Sequence, residues 1–164
     1  MKEPLIAALV IGYVELTPDT KGCIPMNEKL IFLPVLIHIL LTVSVFIALA
    51  SAKKRALAED SVNEERRGLF DDAWPNKVIQ INNNIRNQFE VPILFYVLIF
   101  MLWELGGVSW LACLIAWLFV GSRILHAYIH TGTNYVPLRR KVFTFGCVMV
   151  LILTFLVSKA IWSA

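Results

Sequence analysis

Charge is scarce in this chain. Asp, Glu, Lys and Arg together make up 16% of its 164 residues, against about 25% in an ordinary soluble domain. That scarcity excludes a disordered, charge-solvated polymer. Combined with 58% hydrophobic residues and a mean hydropathy of +0.69, it also excludes a soluble globule, because a small domain cannot bury that much apolar surface. Cysteine is sparse as well: Cys23, Cys113 and Cys147 are odd in number, form no motif, and two of them sit inside apolar runs. A disulfide framework is therefore ruled out. Eight glycines and seven prolines are too few for a collagen-like or low-complexity chain. There is no Gly-x-Ser-x-Gly, no Gly-rich phosphate loop, no dinucleotide fingerprint and no His-Glu-x-x-His run, so those chemistries lack their signatures. The net charge of +3 does not point to nucleic acid, since the basic residues flank apolar runs and form no stripe.

What remains is an all-α integral membrane protein with four spans. Leu30–Ala52 carries no charge and is long enough to cross a hydrocarbon core of about 30 Å. Val142–Ser158 is a second such run, stopped by Lys159 with Trp162 beyond it as an interfacial anchor. Val91–Trp103 and Val108–Ser122 are shorter, and each spans only if its helix continues through a polar segment. The predicted helices are 30–52, 78–105, 108–130 and 142–162, in a membrane domain covering 30–164. Gly106-Gly107 joins the middle two as a tight hairpin. Residues 1–29 form a separate segment. Within it Leu5–Val14 is too short to span and reads as interfacial or re-entrant, and Asp19–Lys29 reads as an aqueous loop. Glu15-Leu16-Thr17-Pro18 offers no small-x-small cleavage site, so the segment is kept in the mature chain.

Lysine and arginine set the expected orientation. Nine of them (Lys53, Lys54, Arg55, Arg66, Arg67, Lys77, Arg139, Arg140 and Lys141) flank the spans on one side, against Lys2, Lys21, Lys29 and Lys159 on the other. The positive-inside rule places the nine in the cytoplasm and both termini outside it.

Polar residues inside the predicted spans are the functional candidates, because they are costly in hydrocarbon. Asn83, Asn87 and Glu90 fall at i, i+4 and i+7 on one helical face, with Arg86 beside it; Arg123, His126 and His130 share a face of the next helix. Glu90 and Arg123 lie equally far from the hairpin turn, roughly 22 Å at helical rise, and are expected to pair. Together these groups describe a basic, hydrogen-bonding pocket in the cytoplasmic half of the bundle. Two readings stand: structural glue between helices, or a site. A metal on His126 and His130 lacks a third ligand. His38, alone in the first span, is expected to be an inter-helix hydrogen-bonder.

Arg86-Asn87-Gln88-Phe89-Glu90-Val91-Pro92 resembles the Asn-x-x-Glu-x-x-Pro-like signature of the MAPEG family, the membrane-associated proteins in eicosanoid and glutathione metabolism. Arg123-Ile124-Leu125-His126 and Pro137-Leu138-Arg139-Arg140 resemble its second signature. The likeness runs from about Asn82 to Phe143. It implies a homotrimer of four-helix subunits with glutathione bound as cosubstrate between neighbours near the cytoplasmic face. It further implies that Arg86, Asn87, Glu90, Arg123, His126, His130 and Arg140 line that pocket. Arg139 matches the arginine that stabilises the glutathione thiolate, a role that suits a guanidinium beside a thiol. The chain departs from the family pattern at several places. Pro92 follows Glu90 by two positions where many members have three, Asn83 stands for an arginine, and His130 stands for a tyrosine. Arg140 and Phe143 replace the hydroxyl-bearing residues of the prostaglandin-synthase branch, which excludes that isomerisation.

The leading expectation is a glutathione-dependent transferase or peroxidase, similar to microsomal glutathione transferases, acting on lipophilic electrophiles that arrive through the bilayer. A non-catalytic binding or structural protein of the same fold is the alternative. A proton or ion pathway through Glu90, Arg123 and the histidines comes third, since no broken-helix signature is read in the sequence.

Overall fold

The computed structural model describes residues 27–163. The apolar segment Leu5–Val14 and most of the loop before the first span lie outside the described residues. Asn27 opens the described chain by accepting from the Lys29 backbone N–H at 3.1 Å, which caps a short 3-10 turn, Glu28–Ile31. Five α-helices follow: α1 (Phe32–Ala58), α2 (Asn76–Gln88), α3 (Val91–Glu104), α4 (Trp110–Thr131) and α5 (Val136–Ser163). They build four segments long and apolar enough to cross a membrane, with α2 and α3 sharing the second. The protein is a multi-pass integral membrane protein with an all-helical bundle.

Three boundaries differ from those expected. The first helix does not stop at Ala52 but runs through Lys53, Lys54 and Arg55 to Ala58, long cationic side chains being able to reach water from a helix that has left the hydrocarbon. It ends where Asp60 takes φ +49° and the Ser61 N–H closes on the Ala56 carbonyl at 3.1 Å, a left-handed terminator. The last helix begins at Val136, six residues before the expected start, with Pro137 in its first turn. Proline is tolerated there because the N–H it lacks has no helical partner anyway. Arg139, Arg140 and Lys141 are thus helical residues and not loop anchors.

The third difference is the largest. The expected continuous helix 78–105 is broken at Phe89-Glu90, where Glu90 takes φ −88°, ψ −91°. Pro92 explains it. In a continuous helix its ring would collide with the carbonyl of Gln88, whereas in the first turn of a new helix it is tolerated. The polar α2 and the apolar α3 are therefore separate rods in one span.

Gly106 turns the hairpin at φ +62°, and Ser109 caps α4 by accepting from the Ala112 N–H at 3.2 Å. α4 is the most buried span and packs on α1, α2 and α5. Phe95 stacks on Phe119 with ring centroids 4.3 Å apart, at the centre of a core that includes Ile99, Leu102, Ala116 and Leu153. A second cluster, with Val45, Leu49, Val78, Ile81 and Ile85, joins α1 to α2. Leu40, Ile47, Leu151 and Phe155 are exposed on the outside, as helices facing lipid or a neighbouring subunit require.

The α4–α5 contact depends on Gly146. A Cβ there would meet Ser122 Oγ at 2.9 Å and Arg123 Cδ at 3.9 Å. Gly146→Ala should therefore destabilise the bundle by about 1–3 kcal/mol through overpacking. In a Ser122→Ala background, which removes the clashing oxygen, most of that loss should vanish. Thermal unfolding of the four proteins in one detergent measures the cycle.

Candidate functional site

The polar ends of α2, α4 and α5 converge. At the α4 terminus, Lys77 Nζ donates to the Thr131 carbonyl. Gln80 Nε2 donates to the carbonyls of His130 and Gly132, satisfying groups a helix end leaves without partners. These contacts hold α2 beside α4 and set the positions of Asn84, Asn87 and Gln88.

Six of the eight expected site residues come together. A cavity of about 220 Å³ is lined by Asn87, His126, Val136, Arg139, Arg140 and Phe143. Arg123 and His130 stand behind it. Arg123 is 1% exposed; its Nη2 donates to the Asn87 carbonyl at 2.8 Å and its guanidinium lies 5.4 Å from the centroid of the Phe143 ring. Its Nε and Nη1 are buried without a hydrogen-bond partner, and so is His126 Nδ1. His130 is buried against His126, ring centroids 5.5 Å apart. Its Nδ1 lies 3.3 Å from the amide nitrogens of both Asn84 and Asn87. Asn87 Nδ2 also donates to the Asn83 carbonyl at 3.1 Å.

Glu90 and Arg86 are elsewhere. Glu90 is exposed at the break between α2 and α3. Its charge is felt at Arg123, but the expected pair does not form. The ion pairs among the described residues are Arg66–Asp72, Arg67–Glu64 and Arg86–Asp71. The equal-depth argument was sound for Arg123, which meets the turn of α2 just before Glu90, but the break turns the carboxylate away and a carbonyl takes its place. Arg86 is exposed on the outer face of α2 and bound to Asp71, in the folded loop between α1 and α2. Neither residue lines the cavity within one subunit.

Three contributors lie outside the expected set of site residues. Asn134, at φ +53° in the turn between α4 and α5, accepts from Arg139 Nη1 and so holds that guanidinium at the cavity. Its signal was an Asn in a Gly-Thr-Asn-Tyr turn, since Asn tolerates left-handed backbone better than most residues. Val136 becomes a wall only because α5 starts early. Asn84 is 0% exposed, on the face of α2 that also carries Val78, Ile81 and Ile85; extending that apolar spacing through the polar residues would have found it.

Among the described residues no group of three or more His, Cys, Asp or Glu side chains gathers as metal ligands would. A larger cavity, about 590 Å³, is lined by Ala48, Ser51, Ala52, Arg55 and Lys77 among others. It contains none of the eight expected site residues, so the chemistry-bearing cavity is the smaller one.

No curated protein matches this chain, and no solved structure does. The family model of the MAPEG family, however, matches residues 31–158, a stretch that contains every side chain of the cavity, the two middle spans and most of the first and last. A four-span helical bundle with its polar cluster on the second, third and fourth spans, matched over most of its length, belongs to the MAPEG family.

Proposed function

We propose that this chain is the subunit of a glutathione-dependent membrane transferase or peroxidase that acts on lipophilic electrophiles. The observation that carries the reading is Arg123. A guanidinium 1% exposed, with two nitrogens unpartnered and no carboxylate paired to it among the described residues, is an unbalanced buried cation. Such a charge is expensive in a membrane interior and is retained where it meets an anion. Arg139 and Arg140 line the cavity in front of Arg123 with two further guanidinium groups. The ligand that fits is an anion with more than one carboxylate, and a tripeptide thiol has two. Membership of the MAPEG family, membrane proteins in eicosanoid and glutathione metabolism, supports glutathione as that tripeptide.

In this reading Arg123 and Arg140 bind carboxylates, Asn87 and His126 orient the tripeptide, and Arg139 stabilises the thiolate. The electrophile arrives laterally from the bilayer. A cavity of about 220 Å³ is smaller than the roughly 300–1,000 Å³ of common ligand sites, which supports a pocket completed by a neighbouring subunit of a homotrimer. Glu90, exposed in the single subunit, and Arg86 are then available to that neighbour.

Two experiments test the proposal. Purified protein in vesicles should consume glutathione together with a membrane-partitioning aryl halide or lipid hydroperoxide. Absence of turnover with both, despite glutathione binding, would leave the non-catalytic alternative. The orientation of the pocket toward the cytoplasm rests on the nine basic residues flanking the loops. In a Cys23→Ser background, a Glu65→Cys variant should be labelled by an impermeant thiol reagent only after the cells are opened. Labelling at that position in intact cells would reverse the topology.

A further inference from the structure

A chain of polar side chains, buried except for the half-buried Tyr96, runs from α3 through α1 and α2 to α4. His38 Nδ1 and the Tyr96 hydroxyl are 2.6 Å apart. His38 also interacts with Gln88. His38 Nε2 and Gln88 Oε1 are both buried without a hydrogen-bond partner, a nitrogen that can donate and an oxygen that can only accept. Gln88 Nε2 donates to Asn84 Oδ1 at 3.1 Å, and Asn84 Nδ2 lies 3.3 Å from His130 Nδ1. His38 and Asn84 are 0% exposed, Gln88 1% and His130 4%.

The polarity of this chain is consistent from end to end. With the tyrosine O–H as donor to His38 Nδ1, the His38 proton sits on Nε2, and Gln88 Oε1 is a buried acceptor left open for it. The Gln88 amide nitrogen donates onward, which fixes the Asn84 amide with its nitrogen toward His130. His130 Nδ1 must then be an acceptor, and the neutral ring carries its proton on Nε2. Asn87, which lines the cavity, approaches the same Nδ1 with its own amide nitrogen at 3.3 Å. An acceptor at that atom is what holds the Asn87 amide with its nitrogen inward, committed to His130 and to the Asn83 carbonyl. Its Oδ1 is the group left for a ligand.

We infer that Tyr96, His38, Gln88 and Asn84 are positioning residues, a relay that fixes the tautomer of His130 and thereby the orientation of the cavity amide Asn87. Asn87 then presents a hydrogen-bond acceptor, and the relay selects a ligand that offers N–H there: a peptide amide or an α-ammonium. Helix-clipping alone would need only that the side chains pack and bond in either sense. The relay needs one sense throughout. The tautomer stands apart from the proposed glutathione chemistry, whereas the naming of Asn87's ligand group rests on that reading.

The chain has three histidines, so ring-¹⁵N-labelled protein in nanodiscs gives a resolvable spectrum, assigned with His126→Gln and His38→Gln. At neutral pH, without ligand, His38 and His130 should both be neutral with the proton on Nε2. Asn84→Asp puts an acceptor where the donor stood and should move the His130 proton to Nδ1 or leave the ring charged. Glutathione binding should then weaken about tenfold, the loss of one buried hydrogen bond to a ligand. Asn84→Ser, which retains a donor hydroxyl, should keep the Nε2 proton. A wild-type His130 with its proton on Nδ1 overturns the relay without any variant having to fold. A neutral His130 ring that keeps its proton on Nε2 in folded Asn84→Asp overturns it too. The predicted tautomers in a protein that does not bind glutathione would support the relay and contradict the functional reading.

Discussion

Replacing Arg123 with methionine is expected to leave the protein as stable as before, or slightly more so, while glutathione binding is lost. The two effects separate because of what surrounds the guanidinium. Removing it costs the hydrogen bond to the Asn87 carbonyl, about 1 kcal/mol. It also relieves a buried charge with two unpartnered nitrogens, and an arginine at the centre of a span is unfavourable by about 2.5–3.5 kcal/mol on insertion scales. Methionine fills the space beside Phe143 with apolar contact. The bound anion, by contrast, loses its buried counter-charge, which typically costs about 2–5 kcal/mol, or about thirtyfold to a few thousandfold in Kd. Arg123→Lys should retain part of the affinity, since a point charge lacks the planar fork. If Arg123 were only glue between α2 and α4, Arg123→Met would lower the unfolding temperature and leave the affinity of the folded fraction unchanged.

Arg139→Ala carries the second large effect, and it acts on the thiol. The side chain lines the cavity and is held there by Asn134. A guanidinium that lowers a bound thiol's pKa by two units makes about a hundredfold more thiolate available well below that pKa, at 1.36 kcal/mol per unit. Arg139→Ala should therefore raise the pKa of bound glutathione and cut turnover by about that factor, with tripeptide affinity much less affected. Asn134→Ala should give a smaller loss of the same kind, because the charge remains but is no longer tethered. If Arg139 only anchored the end of α5, alanine would lower expression or alter topology and leave the thiol titration where it was.

Much of this was legible from residues alone, for physical reasons that differ from place to place. The spans could be read because hydrocarbon tolerates no uncharged-run ambiguity: four helices fit Leu30–Ala52, the two middle runs and Val142–Ser158. The grouping of Asn87, Arg123, His126 and His130 followed from helical spacing and from a hairpin that sets equal depths. Glu90 and Arg86 were misplaced because spacing arguments assume an unbroken helix. Pro92, four residues after Gln88, ends α2 there, so Glu90 no longer shares the face of Asn83 and Asn87. Arg86 was drawn outward by Asp71, fifteen positions earlier in a folded loop, a contact that no helical periodicity encodes. Asn134 and the Asn84–Gln88 pair depend on how a turn and a buried face are satisfied, which becomes visible only when partners from three other helices are in place.

The central claim is that this cavity binds glutathione and ionises its thiol. The measurement that tests it most directly is titration of detergent-purified protein with glutathione at neutral pH, followed by thiolate absorbance. The account predicts a saturable thiolate signal, absent in Arg123→Met because nothing binds and strongly reduced in Arg139→Ala at saturating glutathione. No saturable binding to the wild-type protein, or saturable binding with the thiol still protonated, would contradict it.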